Sequence, residues 1–149
     1  MRIPSHYIPK TLSKRDKKLQ KSELLKSRKL YKKGKYHTRR KLSTFKSKPS
    51  KHIKKVKDIY NIDENKINIS NLSKKTKCTR KALQKIVNKG MGAYYSSGSR
   101  PNQTPHSWGY ARLYSAITGG PASKIDKDIL LKGCKKDSKA IKLYKKNYS

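Results

Sequence analysis

A formal net charge of +33 on 149 residues constrains this chain more than any other feature of its sequence. The 41 Lys and Arg residues outnumber the 8 Asp and Glu residues so strongly that any compact fold must overcome repulsion between like charges. Leu, Ile, Val and Phe contribute only 27 residues, a share that is typical of disordered chains when charge is also high. Ten Tyr and one Trp are nevertheless too many for a plain polycationic tail. The composition therefore predicts one small folded domain with a basic extension, and an anionic partner.

Residues 1–49 are predicted to be an extended basic arm. One weak amphipathic stripe runs through this segment and consists of Leu19, Leu24, Leu25 and Leu30. Ser13 or Ser22 could mark the start of the corresponding helix. A helix of that length with so much like charge is marginal in isolation. Aromatic residues punctuate the later part of the arm at Tyr31, Tyr36 and Phe45. Arg39 and Arg40 lie among them and are predicted to contact nucleic acid.

Apolar residues recur at helical spacing from residue 50 onward, which predicts a small all-α bundle of four or five short helices over residues 50–140. The first helix would begin at Ser50 and bury Ile53, Val56, Ile59 and Tyr60. Gly90 is expected to end a later helix, so that residues 91–102 form a loop.

The second half of this domain carries its own capping signals. Thr104 and Pro105 predict a helix start, with an inner face formed by Trp108, Ala111, Tyr114 and Ile117. Gly119, Gly120 and Pro121 are expected to end it. Asp126 is expected to cap a last core helix with a hydrophobic staple between Ile125 and Leu130. Residues 141–149 form a basic C-terminal tail, which could include a further helix.

A helix-turn-helix-like hairpin is predicted around residues 72–87. Ser73 is small where two helices would approach, Lys77 and Cys78 form the turn, and Thr79 caps the second helix. Lys77 occupies a position where Gly is common, because the turn often needs a positive φ. The cations and hydroxyl suited to phosphates and base edges are Lys74, Lys75, Thr79, Arg80, Lys81 and Lys85. The alternative is an ordinary helical hairpin with a solvated basic face.

The loop before Thr104 is the second candidate site. Ser97, Ser99 and Arg100 could hold a phosphate or a carboxylate in a nest of backbone N–H groups, although the P-loop spacing is absent. In the alternative, the serines satisfy their own backbone. Arg100 would then fold inward onto backbone carbonyls, Asp126 or Asp128. Both roles stay open, with the structural one favoured for Arg100.

Catalytic and metal sites are not indicated. A triad could be drawn from Ser97 or Ser99 with His106 and Asp126 or Asp128, but no nucleophile-elbow motif accompanies it, so no enzyme activity is expected. Cys78 and Cys134 match no zinc-ligand spacing and are expected to be free thiols in a reducing compartment. We expect no cofactor and no small-molecule substrate. No apolar stretch is long enough for a secretory signal or a membrane span.

The run Lys89–Leu113, which contains GAYYSSGSRPNQT and SWGYARL, resembles an uncharacterised domain of nucleocytoplasmic large DNA viruses and large tailed phages. The resemblance covers roughly residues 50–140. It implies a viral protein carried in the virion, present in the host cytoplasm or nucleus during assembly. It implies no activity and no site residues.

Charge and resemblance together predict a non-enzymatic virion structural protein that binds polyanions, chiefly viral DNA and mainly without sequence preference. Full neutralisation of +33 by duplex phosphates would engage on the order of 16 base pairs. The alternative is a minor capsid or cement protein. Its basic arm would thread between capsid subunits or lie along an anionic inner membrane.

Overall fold

The computed structural model describes residues 3–46 and 51–148. These residues form eight α-helices and no β-strand, which confirms the all-α class. A single antiparallel bridge pairs Cys78 with Cys134. The helices are α1 (Lys14–Lys32), α2 (Lys51–Tyr60), α3 (Ile69–Thr76), α4 (Arg80–Ser96), α5 (Pro105–Ile117), α6 (Pro121–Ile125), α7 (Lys127–Gly133) and α8 (Lys139–Tyr148).

The chain divides into two compact units. The first consists of Met1–Lys48 and Met91–Trp108, and the second of Pro49–Gly90 and Gly109–Ser149. The predicted domain bounds at residues 49 and 140 stay a prediction.

Helix α1 replaces much of the extended arm that the sequence predicted. The Ser13 side chain accepts a hydrogen bond from the Asp16 N–H at 3.1 Å, and Gly34 ends the helix region with a φ of +76°. Leu24 is fully buried on the inner face, whereas Leu25 is exposed. The expectation of an extended chain was wrong here because the partners of this face come from residues about 70 positions away. Ser27, for example, donates to the Tyr95 carbonyl at 3.2 Å.

The core of the first unit is small and partly polar. Its buried apolar side chains are Tyr7, Leu12, Leu24, Leu42 and Tyr94. Buried Gln20 donates to the Tyr7 carbonyl at 3.1 Å, and the rings of Tyr7 and Trp108 meet edge to face at 6.0 Å.

The second unit has the larger apolar core, which draws on α2 to α5, α7 and α8. Its fully or almost fully buried side chains include Val56, Leu72, Leu83, Ile86, Val87, Leu113, Ile117, Leu130 and Ile141. Helix α2 buries Val56 and Tyr60 as expected, with Ile53 and Ile59 half-buried, and Asn61 ends it at a φ of +48°. The predicted start at Ser50 lies outside the described residues.

Gly90 does not end its helix, contrary to the sequence prediction. Helix α4 runs on to Ser96, so residues 91–96 are helical rather than a loop. Gly90 is needed for a different reason: a Cβ at that position would lie only 2.7 Å from the Gly109 Cα. Glycine therefore allows α4 and α5 to approach backbone to backbone.

Helix α5 starts at the predicted cap but is rotated from the predicted inner face. The Thr104 hydroxyl accepts from the Ser107 N–H at 3.0 Å. The buried residues are Gly109, Leu113, Ser115, Ala116 and Ile117, so of the four predicted inner residues only Ile117 is fully buried. The close approach at Gly109 fixes this face, and sequence periodicity carries no signal for it.

The region after Gly119 contains a short helix, α6, that the sequence analysis missed. Gly119 turns the chain at a φ of +76°, and Pro121 opens α6. Ile125 is 69% exposed, so the predicted staple with Leu130 is wrong. Asp126 precedes α7 but its side chain makes no capping bond. Arg112 instead donates to both oxygens of that carboxylate at 2.8 Å.

Candidate nucleic-acid interface

Helices α3 and α4 form a helical hairpin with its turn at the predicted place, although α3 begins at Ile69 and α4 continues to Ser96, beyond the predicted residues 72–87. Asn68 caps α3 by accepting from the Asn71 N–H at 2.8 Å, and Thr79 caps α4 by accepting from the Ala82 N–H at 3.1 Å. Lys77 adopts the left-handed conformation at a φ of +59°, the geometry for which Gly is common at this position. Ser73 donates its hydroxyl hydrogen to the Cys78 carbonyl and so ties α3 to the turn.

The turn of the hairpin is anchored to the end of α7. The Thr79 N–H donates to the Gly133 carbonyl at 2.8 Å, and the Lys135 N–H donates to the Lys77 carbonyl at 2.9 Å. Cys78 and Cys134 form a disulfide across the same place. The expectation of free thiols was therefore wrong. The two cysteines are 56 residues apart in sequence, and only the packing of α7 against the hairpin turn brings them together.

The exposed face of α4 carries cations and carboxamides but no carboxylate. Leu83 and Ile86 are fully buried on the opposite face. The exposed residues recur as neighbouring pairs one helical turn apart, and they are Arg80, Lys81, Gln84, Lys85, Asn88 and Lys89. Such a face offers charged donors to phosphates and amide groups to base edges.

Each predicted hairpin residue can be placed. Lys74, Lys75, Lys81 and Lys85 are exposed to solvent. Arg80 is also exposed, and its guanidinium donates to the Ser70 hydroxyl at 2.9 Å. Thr79 is exposed too, and its hydroxyl oxygen accepts the capping bond from the Ala82 N–H while its hydroxyl hydrogen remains able to donate. Asn88 and Lys89 were not included in the predicted face, although they lie four residues after Gln84 and Lys85 and before the expected helix end at Gly90.

An open groove of about 520 Å³ lies beside the disulfide. Four lysines line it together with Thr79 at the start of α4, and they are Lys74, Lys77, Lys132 and Lys135. Lys77 is engaged by Asp137, and its hydrogen bond holds the pKa of that carboxyl below its ordinary value. Lys74, Lys132 and Lys135 make no ion pair with any residue the structure describes. The groove thus presents cationic donors close to one edge of the hairpin.

Arg39 and Arg40 have different surroundings. Arg39 is buried, and its guanidinium donates to the Ser27 hydroxyl, the Tyr94 carbonyl and the Ser99 hydroxyl at 2.7 to 3.0 Å. The same group lies 3.7 Å above the centre of the Tyr94 ring, and burial lowers the pKa of Arg39. Its donors are thus taken up inside the first unit, against the prediction that it contacts nucleic acid. The Arg40 side chain is largely exposed, and its Nε lies 3.8 Å from a carboxylate oxygen of buried Glu23, so its contact with nucleic acid stays a prediction.

The loop after α4 is held from inside the first unit. Arg28 donates to the Ser97 carbonyl through Nε at 3.0 Å and Nη2 at 2.7 Å, and Ser99 accepts from Arg39. Gly98 has a φ of +120°, and a Cβ there would lie 2.7 Å from Leu24. Ser99 is therefore buried and structural, whereas the Ser97 side chain is exposed.

Arg100 is exposed, so the favoured prediction that it folds inward was wrong. Arg28 and Arg39 supply the internal guanidinium groups that Arg100 was expected to provide. Arg100 is left at the surface, near enough to His6 to contribute to lowering its pKa, although burial is the larger cause.

Helix α1 presents a cationic face that the sequence analysis did not single out. Seven of its cations are exposed: Lys14, Arg15, Lys18, Lys21, Lys26, Lys29 and Lys32. The helix is about 28 Å long at 1.5 Å per residue. An i, i+4, i+7 count from Lys14 gives Lys18 and Lys21 and could have indicated this face, had the segment been assigned as helix.

The acidic residues do little to offset this surface charge. Three of the eight carboxylates are buried and bound by the chain's own groups: Asp16, Glu23 and Asp126. Burial acts to raise the pKa of Glu23. Hydrogen bonds from the Arg40 N–H and from His37 outweigh that effect and leave the pKa below its usual value. Hydrogen bonds from Thr44 lower the pKa of Asp16. Among the described cations, by contrast, only Arg28 and Arg39 are buried.

Comparison with known proteins places this architecture in a family. A family model matches residues 4–132. The chain belongs to a family of unknown function, DUF5824. No curated protein matches the chain, and no solved structure matches it. The DUF5824 match begins near the N-terminus, so it includes α1 and the rest of the segment expected to be an extended arm.

The metal site and the triad that were considered from sequence can both be checked in the described parts of the chain. No group of three or more His, Cys, Asp or Glu residues there is placed to hold a metal ion. The Asp126 carboxylate, one member of the triad considered from sequence, is engaged by Arg112. None of the helices within residues 3–46 and 51–148 combines the length and hydropathy that crossing a bilayer requires.

Proposed function

We propose that this protein binds nucleic acid without catalysing a reaction on it, chiefly duplex DNA through its phosphate backbone. The observation that carries the proposal is the carboxylate-free face of α4. Four cations and two carboxamides share one side of a well-capped helix whose other side is fully buried. A carboxylate on this face would repel a phosphate, and the exposed residues from Arg80 to Lys89 include none.

The mode of binding follows from the kind of groups on this face. Lysine ammonium groups are point charges that neutralise phosphates and release condensed counterions, which gives tight binding with little sequence preference. Gln84 and Asn88 are able to meet adenine edges, but their side chains bond each other at 3.0 Å and must exchange that bond for one to a base. We therefore expect sequence preference to be weak.

The lysine-lined groove extends the same surface at the N-terminal end of α4. A helix N-terminus favours an anion, and the lysines beside it add formal charge. A backbone phosphate seated in this groove would fix the position of α4 on the duplex. The exposed face of α1 offers a second set of phosphate-binding cations in the first unit.

The viral setting of this function is part of the proposal. The GAYYSSGSRPNQT phrase and the SWGYARL phrase resemble a domain of large DNA viruses and large phages, so the natural ligand would be viral DNA in the virion. The alternative, a minor capsid or cement protein, requires residues 1–49 to extend between capsid subunits or along an inner membrane. Burial of Leu24 and Arg39 inside the first unit favours the DNA proposal over that alternative.

The test compares two triple variants of equal charge. Arg80→Gln, Lys81→Gln and Lys85→Gln remove three cations from the α4 face. Lys124→Gln, Lys127→Gln and Lys142→Gln remove three exposed cations elsewhere in the second unit. We expect the α4 variant to bind duplexes of several unrelated sequences roughly tenfold more weakly or worse, and the control variant to be weakened much less. Equal weakening of the two variants would mean that net charge alone governs binding and would refute a role for the α4 face.

A further inference from the structure

Three tyrosine rings form a cluster where α1 ends, with Tyr31 and Tyr36 exposed and Tyr95 half-buried, and we call it the tyrosine platform. The rings of Tyr31 and Tyr95 are nearly parallel, with centroids 6.0 Å apart and planes 7° from each other. The Tyr36 ring lies 5.0 Å from Tyr95 and 6.1 Å from Tyr31. Tyr36 is 72% exposed and Tyr31 is 36% exposed.

The rings are held in place by the fold beneath them. Gly34 turns the chain at a φ of +76°, and the Lys35 N–H donates to the Leu30 carbonyl at 2.9 Å, so the chain reverses between Tyr31 and Tyr36. Ser27 on α1 donates to the Tyr95 carbonyl. The platform is therefore preorganised, which lowers the entropic cost of binding a flat ligand.

Core packing does not account for the outer ring of this cluster. Most of the Tyr36 side chain is exposed to water, although the chain has few apolar residues from which to build a core. Large exposed aromatic groups are often contact sites for a partner. The chemistry of the neighbouring residues then decides which partner is suitable.

Those neighbours are cationic. Lys32, Lys33 and Lys35 lie between Tyr31 and Tyr36 in sequence, and all three are exposed. No Asp or Glu occurs between Glu23 and Asp58, and Glu23 itself is buried and bound to His37 at 2.9 Å. Aromatic rings set among lysines suit a ligand that combines flat rings with negative charge.

We propose that the tyrosine platform binds the unpaired bases of single-stranded nucleic acid by stacking, while the surrounding lysines hold the phosphates. This proposal deepens the nucleic-acid function proposed above and rests on it. A duplex keeps its bases stacked on each other, so it cannot use the platform in the same way. Stacking of a base on an aromatic side chain is tolerant of sequence, because every base has a flat face.

The experiment compares Tyr36→Ala with Tyr36→Phe on three probes. These are a short oligothymidylate, an abasic strand of the same length and charge, and a duplex. We expect Tyr36→Ala to weaken oligothymidylate binding by roughly 5- to 150-fold, the range for one stacked base. Tyr36→Phe should bind oligothymidylate normally, because stacking needs the ring and not the hydroxyl. The alanine variant should bind the abasic strand and the duplex like the unmodified protein.

Tyr148→Ala removes another exposed tyrosine, in the second unit, and serves as the matched control. Equal binding of oligothymidylate and abasic strand by the unmodified protein would overturn the platform, and so would an equal weakening on all three probes in Tyr36→Ala. Failure of the α4 variant test would instead count against the duplex function. The two proposals therefore fail through different measurements.

Discussion

The disulfide between Cys78 and Cys134 makes a quantitative prediction about stability. Replacing both cysteines by alanine releases the link between the hairpin turn and the end of α7. A cross-link over 56 residues lowers the entropy of the unfolded chain by an amount equivalent to about 4 kcal/mol at 25 °C, and measured values are more often about 2–4 kcal/mol. The backbone bonds between Thr79 and Gly133 remain in the variant, so the folded hairpin should keep its form.

Urea unfolding followed by far-UV circular dichroism measures this effect, with and without a thiol reductant. We expect the reductant to lower the free energy of unfolding of the unmodified protein by about 2–4 kcal/mol and to leave the double alanine variant unchanged. The unmodified protein without reductant should be the most stable of the four samples. If the reductant changed its stability by less than about 0.5 kcal/mol, the reasoning that places the hairpin turn against α7 through this bond would be refuted.

Three further predictions concern the rest of the fold. Gly90→Ala should lower the free energy of unfolding by about 1–3 kcal/mol, because the new Cβ would meet the backbone of Gly109. Gly92→Ala has room for its Cβ and should raise the free energy of unfolding by up to about 1 kcal/mol. Chemical denaturation of the two variants measures both effects. Arg39→Ala should lower the free energy of unfolding by at least about 2 kcal/mol, because it leaves buried oxygen atoms without hydrogen-bond donors. Arg40→Ala, at an exposed position, should lower it by less than about 0.5 kcal/mol. Thermal unfolding of the two variants measures the difference. The pKa of Glu23 is lower in the folded protein than its ordinary value of 4.5. The ionised carboxylate therefore stabilises the fold above pH 4.5, and this stabilisation is lost as the pH falls through the folded pKa. Glu23→Gln should weaken the dependence of the free energy of unfolding on pH in this acidic range, and an unaltered pH profile would contradict this.

Local signals in the sequence were enough for the hairpin. The cap at Thr79, the turn at Lys77 and the buried pair Leu83 and Ile86 are set by neighbours within one or two helical turns. The same signals predicted an exposed basic face on the second helix of the hairpin. Capping and periodicity are local properties, and sequence reasoning handles them well.

Long-range packing accounts for the errors. The sequence suggests that Gly90 ends a helix. In the structure Gly90 is instead needed because a Cβ there would lie 2.7 Å from the Gly109 Cα. The sequence suggests that Arg39 is an exposed cation of the basic arm. In the structure its guanidinium donates to Tyr94 and Ser99, which are more than 50 residues away in sequence. The tyrosine platform likewise joins Tyr95 to rings on either side of Gly34. None of these pairings leaves a periodic trace along the chain.

The salt dependence of duplex binding measures how many phosphates the α4 face neutralises. Removing one cation that neutralises a phosphate should reduce the slope of log K against log salt concentration by about 0.9. We predict that the triple glutamine variant at Arg80, Lys81 and Lys85 has a slope smaller than that of the unmodified protein by about 2.7, while the equally charged variant at residues 124, 127 and 142 keeps a slope close to the original. An unchanged slope in the α4 variant would show that this face does not bind phosphates and would contradict the account.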